Sequence, residues 1–464
     1  MKVMLIYPDV DPLSIIPGRL INIEPLQMEY LAAMIPEQDV IIIDMKTDRR
    51  WKTVIEKFAP DIVGITGTVI HATRIIEILR IIKEMNQQIL TIVGGPHATL
   101  VPDDFDDPSV DIIALGHSHQ SFQQVVRAFE SNSPFGDISD LAFRTDRGLR
   151  YTKRNTQRTN LNDLPMPRRD LTARYRSKYC HLVWEKVALM VSSIGCPHGC
   201  SFCPCPVLTG RRVLRRSPHL VLRELSEINE KYVYFGDDNF FFDPRHASEI
   251  ARLIEQFKIK KEYYMLSRAD SIVNRPDIVE KWASIGLKKV FIGLETVSDI
   301  EMKQLHKKGS VDINTRAVEI LHANKVDPLG AFIVRPDFKE RDFEDILRYM
   351  DRMKIFYFEF TVLTPFPGTP FYEEVRDQLT YTDTRLYDLA HPVLPTTLSL
   401  DEFYTFYSRL HRKAMSAGRA VRIRPVVSPL RAKPLVRILP GIVDLFRCAR
   451  RSHRLFRQMS SRAS

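Results

Sequence analysis

Cysteine is scarce in this chain of 464 residues, with six in all. That is too few for the disulfide framework of a small secreted domain. Four of the six fall between Cys196 and Cys205, a grouping that suits a metal or redox site in a reducing cytosol. No apolar run reaches the roughly 18 residues that mark a membrane-spanning helix. The start, Met1-Lys2-Val3-Met4-Leu5-Ile6-Tyr7-Pro8, reads as a strand and has no small-residue cleavage site, so a cytoplasmic protein without a leader is expected. Internal repeats and low-complexity blocks are also missing. An apolar fraction of 44% is ordinary for globular domains, and the length calls for two or three of them.

Acid is missing in one place. Residues 411–464 hold 14 Lys/Arg against Asp444 alone, while the rest carries 53 basic and 56 acidic residues. The basic end is therefore a local surface property. Within it Leu435, Ile438, Leu439, Ile442, Val443, Leu445 and Phe446 interleave with Arg437, Arg447, Arg450, Arg451 and Arg454. This reads as an amphipathic helix suited to the anionic inner face of the cytoplasmic membrane. A solvated tail or a partner-binding helix is the alternative. Nucleic acid is not expected, since no Trp or Tyr follows Tyr407 to stack bases.

Residues 1–132 alternate apolar runs with amphipathic stretches. Strands are expected at Val3–Tyr7, Val40–Asp44, Ile62–Thr66, Leu90–Val93 and Asp111–Leu115, with helices between. That pattern is α/β, a doubly wound parallel sheet of Rossmann-like type whose ligands sit beyond the strands' carboxyl ends. Gly94-Gly95-Pro96-His97 lies at such an end, where glycine admits a large ligand to the backbone. Residues 133–186 read as a linker with a hairpin around Asp146-Arg147-Gly148. Residues 187–398 show six further βα units, expected to form a partial (β/α)6 TIM-like barrel. Residues 399–464 are expected to be helical and basic, opening with the capping box Ser399-Leu400-Asp401-Glu402 and running to Gly418.

Cys196, Cys200 and Cys203 have a C-x3-C-x2-C spacing. Three thiolates on one loop suit three corners of a four-iron cluster, whereas most iron–sulfur proteins supply four. The open corner implies a site for a substrate or cofactor. A zinc loop is the plain alternative, but no second pair of ligands stands elsewhere at zinc spacing.

With its preceding glycine and the aromatic Phe202, this loop resembles the radical S-adenosylmethionine (SAM) signature. Taken with Gly94-Gly95-Pro96-His97, Arg215-Arg216-Ser217-Pro218, Phe235-Gly236-Asp237-Asp238-Asn239, Ile292-Gly293-Leu294-Glu295 and Thr364–Pro370, residues 1 to about 410 resemble the cobalamin-binding radical SAM enzymes. Tyr387–Thr397, the capped helix and the basic end are similar to bacterial hopanoid C-3 methylases. The Asp-x-His-x-x-Gly motif, which supplies a cobalt-ligating histidine, is missing. Gly116-His117-Ser118-His119 stands where Gly-Glu-Gly-Glu is common, and Arg335-Pro336 replaces a common Gly-x-Pro.

The resemblance implies a [4Fe–4S] cluster, SAM and cobalamin. It also implies a reductase, flavodoxin or ferredoxin as electron donor, and C-methylation of an unactivated carbon, with a hopanoid lipid as substrate. One SAM would methylate cobalamin and a second would yield the hydrogen-abstracting 5′-deoxyadenosyl radical. A cyclase or rearrangement enzyme acting on a tetrapyrrole or another natural product, and a non-catalytic cobalamin carrier or sensor, are the alternatives.

Cys196, Cys200 and Cys203 would ligate iron, with Cys205 not a ligand. Phe202 would pack on adenine or within its own loop. Asp237 and Asp238 would meet the methionine ammonium or cap a turn. Arg268 and Glu295 would bind carboxylate and ribose, or pair with each other. Thr66 and Thr68 would flank the nucleotide tail of cobalamin, or serve as strand-end hydroxyls. Gly94, Gly95, Pro96 and His97 would contact cobalamin, His97 from its backbone side, while His71 is read as a loop polar residue.

Overall fold

The computed structural model describes residues 1–15, 21–117, 119–155, 159–416 and 418–419. Ser118 and the amphipathic stretch from Leu435 to Arg454 lie outside the described residues. The described chain forms two units, Met1–His181 with Asp383–Asp388, and Leu182–Thr382 with the residues from Leu389 onward. Among the described residues no helix is long and apolar enough to cross a membrane.

In the first unit, β1 (Lys2–Tyr7), β2 (Asp39–Asp44), β3 (Ile62–Thr66), β4 (Leu90–Gly94) and β5 (Ile112–Ala114) run parallel in the order β2-β1-β3-β4-β5. Both faces are buried, because alternate residues of each strand enter opposite cores. Met4, Ile6, Val63 and Ile65 pack against α2 (Trp51–Phe58) and α3 (Ala72–Met85). Val3, Leu5, Ile62 and Ile92 pack against α1 (Leu26–Ala33) and α4 (His119–Glu130). The strand order reverses at β1, so the crevice for a ligand opens beyond the ends of β1 and β3.

The hairpin β6 (Leu141–Thr145) and β7 (Gly148–Tyr151) pairs antiparallel with β5 and extends this sheet. The expected hairpin is thus present, and it forms the sheet's edge within the stretch the sequence suggested as a linker. The segment Arg169–Lys178 is tied down by a buried charge cluster. Arg169 lies 2.7 Å from Glu24, and Arg176 pairs with the same carboxylate. Burial and then Glu24 push the Glu29 carboxyl up to about 8. Asp383–Asp388 returns to this unit, where Ser14 Oγ donates to the Arg385 carbonyl at 2.8 Å and Asp388 accepts from the Ile15 amide.

The second unit holds β8 (Val187–Met190), β9 (Tyr232–Phe235), β10 (Glu262–Arg268), β11 (Leu287–Glu295), β12 (Asp327–Val334) and β13 (Tyr357–Val362). They form one parallel sheet in sequence order, a partial barrel. Alternation sorts its residues. Val233, Phe235, Met265, Ile292, Phe332 and Phe360 face the helical shell. Tyr232, Tyr234, Tyr264, Phe291 and Leu329 face inward. The shell comprises α5 (Pro218–Glu227), α6 (Pro244–Gln256), α7 (Pro276–Ser284), α8 (Val311–Ala323) and α9 (Glu340–Arg352). Asp243 caps α6 by accepting the amides of Arg245 and His246 at 3.0 and 3.2 Å. The Ser399–Glu402 capping box forms, and α10 (Leu400–Ala414) packs on α9 through Phe403 and Phe343. The helix ends at Ala414, short of the expected Gly418, with Met415 as its cap.

Gly286 stops α7 with φ +121°, and a Cβ there would collide with the Lys261 carbonyl oxygen. Gly286→Ala is therefore expected to destabilise the protein by about 1–3 kcal/mol. Gly136→Ala, where a Cβ meets nothing within 4 Å, should be near neutral. Denaturant titration of both variants checks this.

Candidate functional site

The cysteine loop begins where β8 ends. Ser192 and Ser193 follow β8, and Asp237 follows β9, so both lie at strand carboxyl ends, where a barrel gathers its reactive groups. The fully buried Asp237 carboxylate accepts from the Ser192 amide at 2.9 Å, the Ser192 hydroxyl at 2.7 Å and the Ser193 hydroxyl at 2.6 Å. Burial raises its pKa to about 6 against the lowering effect of these donors. Asp238, exposed, accepts from the Gly195 amide at 2.7 Å. Gly195 has φ +102°, and a Cβ would strike the Arg212 carbonyl oxygen, so only glycine fits where the chain turns into Cys196. The sequence assigned Asp237 to the methionine ammonium or to a turn. In the structure its oxygens are taken up by the base of the loop, whereas Asp238 is exposed.

Cys196, Cys200, Cys203 and Cys205 are free, partly exposed thiols. Burial raises the pKa of Cys196, and pushes that of Cys203 up to about 12, with the neighbouring Cys200 adding to the rise. The Cys205 thiol is pushed up further, by burial and then by Asp238. Such thiols become thiolates when a metal displaces the proton. Arg268 Nη1 stands 3.5 Å from Cys200 Sγ. Among the described residues no three His, Cys, Asp or Glu close on a single metal ion.

Arg268 and Glu295 do not pair with each other, contrary to one sequence expectation. Arg268 is held by Asp270 through two bonds of 3.0 Å and donates to the Lys308 carbonyl at 2.7 Å. Glu295 is held by Lys307 at 2.6 Å. Its backbone has φ +61°, beside a register shift between Gly293 and Glu295. A Cβ on Gly293 would collide with the Glu295 carboxylate, so glycine leaves room for this ion pair. The buried Asn239 joins the ends of β9 and β10. It accepts from the Ser267 hydroxyl and the Arg268 amide and donates to Ser271. Phe202 packs with Leu305, Ile333, Leu363 and Phe371, which supports the loop-packing reading.

The sequence reading missed Asp270, Lys307 and the two serines. Asp270 carried a usable signal, since an acid two residues after an arginine at a strand end can fold back on it. Lys307 carried none.

In the first unit, glycines follow β3 (Gly67), β4 (Gly95) and β5 (Gly116). Gly95 has φ +107°, and a Cβ would collide with Thr66 Oγ1, which itself donates to the Gly94 carbonyl at 3.1 Å. Thr68 is joined to His71 Nδ1 by its amide and its hydroxyl, at 3.2 and 3.1 Å. Burial lowers the His71 pKa to about 4. Pro96 opens a short helix, and the buried His97 ring binds Asp104 through Nε2 at 2.7 Å. The structure thus brings Thr66, Gly94 and Gly95 together at one strand edge. It engages the rings of His71 and His97 within the protein, so this edge offers a large planar ligand backbone rather than histidine. That cradle fits a corrin held without a lower histidine from these two positions.

The comparisons agree with this geometry. The Radical SAM superfamily matches residues 190–350, and the B12 binding domain matches residues 21–126. Hopanoid C-3 methylase of Methylococcus capsulatus is 27% identical over 87% of this chain and 78% of its own length. Bacteriochlorophyllide d C-12(1)-methyltransferase of Chlorobaculum tepidum is 25% identical over 89% of this chain and 85% of its own. The solved structure of the radical SAM methyltransferase TsrM from Kitasatospora setae, with cobalamin and a [4Fe–4S] cluster bound, shares the fold. Its TM-score is 0.72 at 13% identity, over 98% of this chain and 99% of that one. The cluster loop on a partial barrel and the glycine-edged sheet before it agree with both matched domains, and the chain joins a B12 binding domain to a radical SAM domain, the make-up of the cobalamin-binding radical SAM enzymes, with a [4Fe–4S] cluster, SAM and cobalamin as its cofactors.

Proposed function

We propose that this protein is a C-methyltransferase that places a methyl group on an unactivated carbon of a polycyclic lipid of hopanoid type, at C-3. The observation that carries the reading is the three-cysteine loop beneath an exposed Asp238, in a chain that also holds the glycine-edged sheet. The likeness to hopanoid C-3 methylase along most of both chains supports the substrate class. The bacteriochlorophyllide relative keeps a tetrapyrrole acceptor as the second reading. When bound, the cofactors supply an electron, a hydrogen-abstracting radical and a transferable methyl group.

The chain's own part is to bind and orient. Cys196, Cys200 and Cys203 would hold iron. Arg268, 3.5 Å from Cys200 and itself fixed by Asp270, would balance charge there. Asp238 is the open carboxylate for the methionine ammonium, and the Glu295–Lys307 pair offers partners for a carboxylate or ribose. Thr66, Gly94, Gly95, Pro96 and the backbone of His97 would line the corrin edge, with Thr68 beside the nucleotide tail. A reductase, flavodoxin or ferredoxin would deliver electrons. The basic residues of 411–464 would keep the enzyme at an anionic membrane surface, where a lipid acceptor resides.

Anaerobic turnover of the reconstituted protein with methyl-labelled SAM and a hopanoid extract should give a product heavier by one labelled methyl group, read by mass spectrometry. Label appearing only in an added tetrapyrrole would favour the second reading. Replacing Cys196, Cys200 and Cys203 together by alanine should abolish iron–sulfide uptake and deoxyadenosine release while leaving corrinoid uptake intact. Asp237→Ala strands the buried donors of Ser192 and Ser193. It should weaken cluster retention about 10–100-fold, as loss of groups that position metal ligands commonly does, measured as iron content against chelator concentration.

A further inference from the structure

The inner face of the barrel carries a carboxyl group that the cluster loop does not use. Glu359 lies midway along β13, level with Ala331 of β12 and alternating with Phe358 and Phe360. It is deep within the barrel yet still reachable from the lumen. Tyr234 of β9 and Tyr264 of β10 stand within electrostatic reach of it. The surrounding inward positions are apolar or aromatic, among them Phe291 and Leu329. Two other charges of this face lie against other groups. Glu295 is held by Lys307 at 2.6 Å. Lys289 lies toward the amino ends of the strands, with its Nζ 4.9 Å from the Trp184 ring and 4.3 Å from that of Tyr357.

Among the described residues no hydrogen bond or ion pair reaches the Glu359 carboxyl. A buried acid without a partner is costly, and a ligand of pure hydrocarbon filling the lumen would strip away its remaining water. An apolar pocket with one polar group is the usual form of a site that fixes a ligand's orientation.

We propose that Glu359 anchors the substrate through a hydroxyl group, so that the acceptor is an otherwise apolar polycycle bearing an alcohol on the part that enters the barrel. This rests on the methyltransferase reading above and narrows its substrate class. Burial and then Glu295 push Glu359 up to about 7. A hydroxyl suits either form of such an acid, since it donates to a carboxylate and accepts from a carboxylic acid. An ammonium group would suit only the ionised form.

The test uses the full chain reconstituted with its cofactors and three matched probes: a triterpene hydrocarbon, its monohydroxy derivative and the corresponding primary amine. Binding is measured by equilibrium partition and methylation separately by mass spectrometry. The wild-type protein should bind the alcohol about ten-fold more tightly than the hydrocarbon, roughly the yield of one satisfied hydrogen bond. Glu359→Leu should erase that preference, and Glu359→Gln, which still hydrogen-bonds, should keep most of it. The proposal is overturned if the wild type shows no preference, if Glu359→Leu keeps it, or if the amine binds tightest. A preference for the alcohol without methylated product would uphold the anchor and sink the methyl-transfer reading instead.

Discussion

A buried carboxylate at the end of the second barrel strand holds the site in place. Asp237 accepts from the amide of Ser192 and the hydroxyls of Ser192 and Ser193, and so fixes where the chain leaves β8 for the cysteine loop. The next residue, Asp238, takes the Gly195 amide. Two consecutive acids therefore set both ends of the short run that leads to Cys196. Desolvation disfavours the Asp237 charge, and three donors restore it. The loop's position thus depends on a charge that only this hydrogen-bond set makes affordable.

The same logic recurs around the rim. Arg268 reaches Cys200 because Asp270 and the Lys308 carbonyl hold its guanidinium flat. Glu295 adopts a left-handed backbone beside a register shift, with Lys307 as partner and Gly293 leaving room. Strain at Glu295 costs on the order of 1–3 kcal/mol and is sustained by a well-packed shell in which Trp282 is fully buried among Phe235, Phe240 and Tyr263. In the first unit, a glycine follows each of three successive strands and keeps the edge open, while His71 and His97 are occupied by Thr68 and Asp104. Rigid cores below and unusual backbone above are what a site for large cofactors requires.

Much of this was legible from the residues. Alternating apolar runs gave the strands of both sheets, because a strand buried on both faces leaves a continuous apolar signature. The Ser399–Glu402 capping box marked a helix start, since its side chains satisfy free amides of the first turn. The cysteine spacing was readable because three ligands of one cluster must lie on one short loop. Partnership across the barrel was not readable. Arg268 with Asp270, and Glu295 with Lys307, were open choices among several charges that the fold alone resolves. The hairpin at 141–151 was legible as a hairpin, but its pairing with the first sheet was not, because antiparallel addition to a parallel sheet depends on register rather than on composition. Asp383–Asp388 gave no sign that it packs with the first unit, since that return is a tertiary event.

The central claim is a three-cysteine cluster with one iron left open to SAM. Electron paramagnetic resonance of the anaerobically reconstituted, reduced protein, before and after SAM is added, tests it most directly. A four-iron signal that changes on addition of SAM is predicted. A protein that takes up no cluster, or one whose signal is indifferent to SAM, would contradict the account.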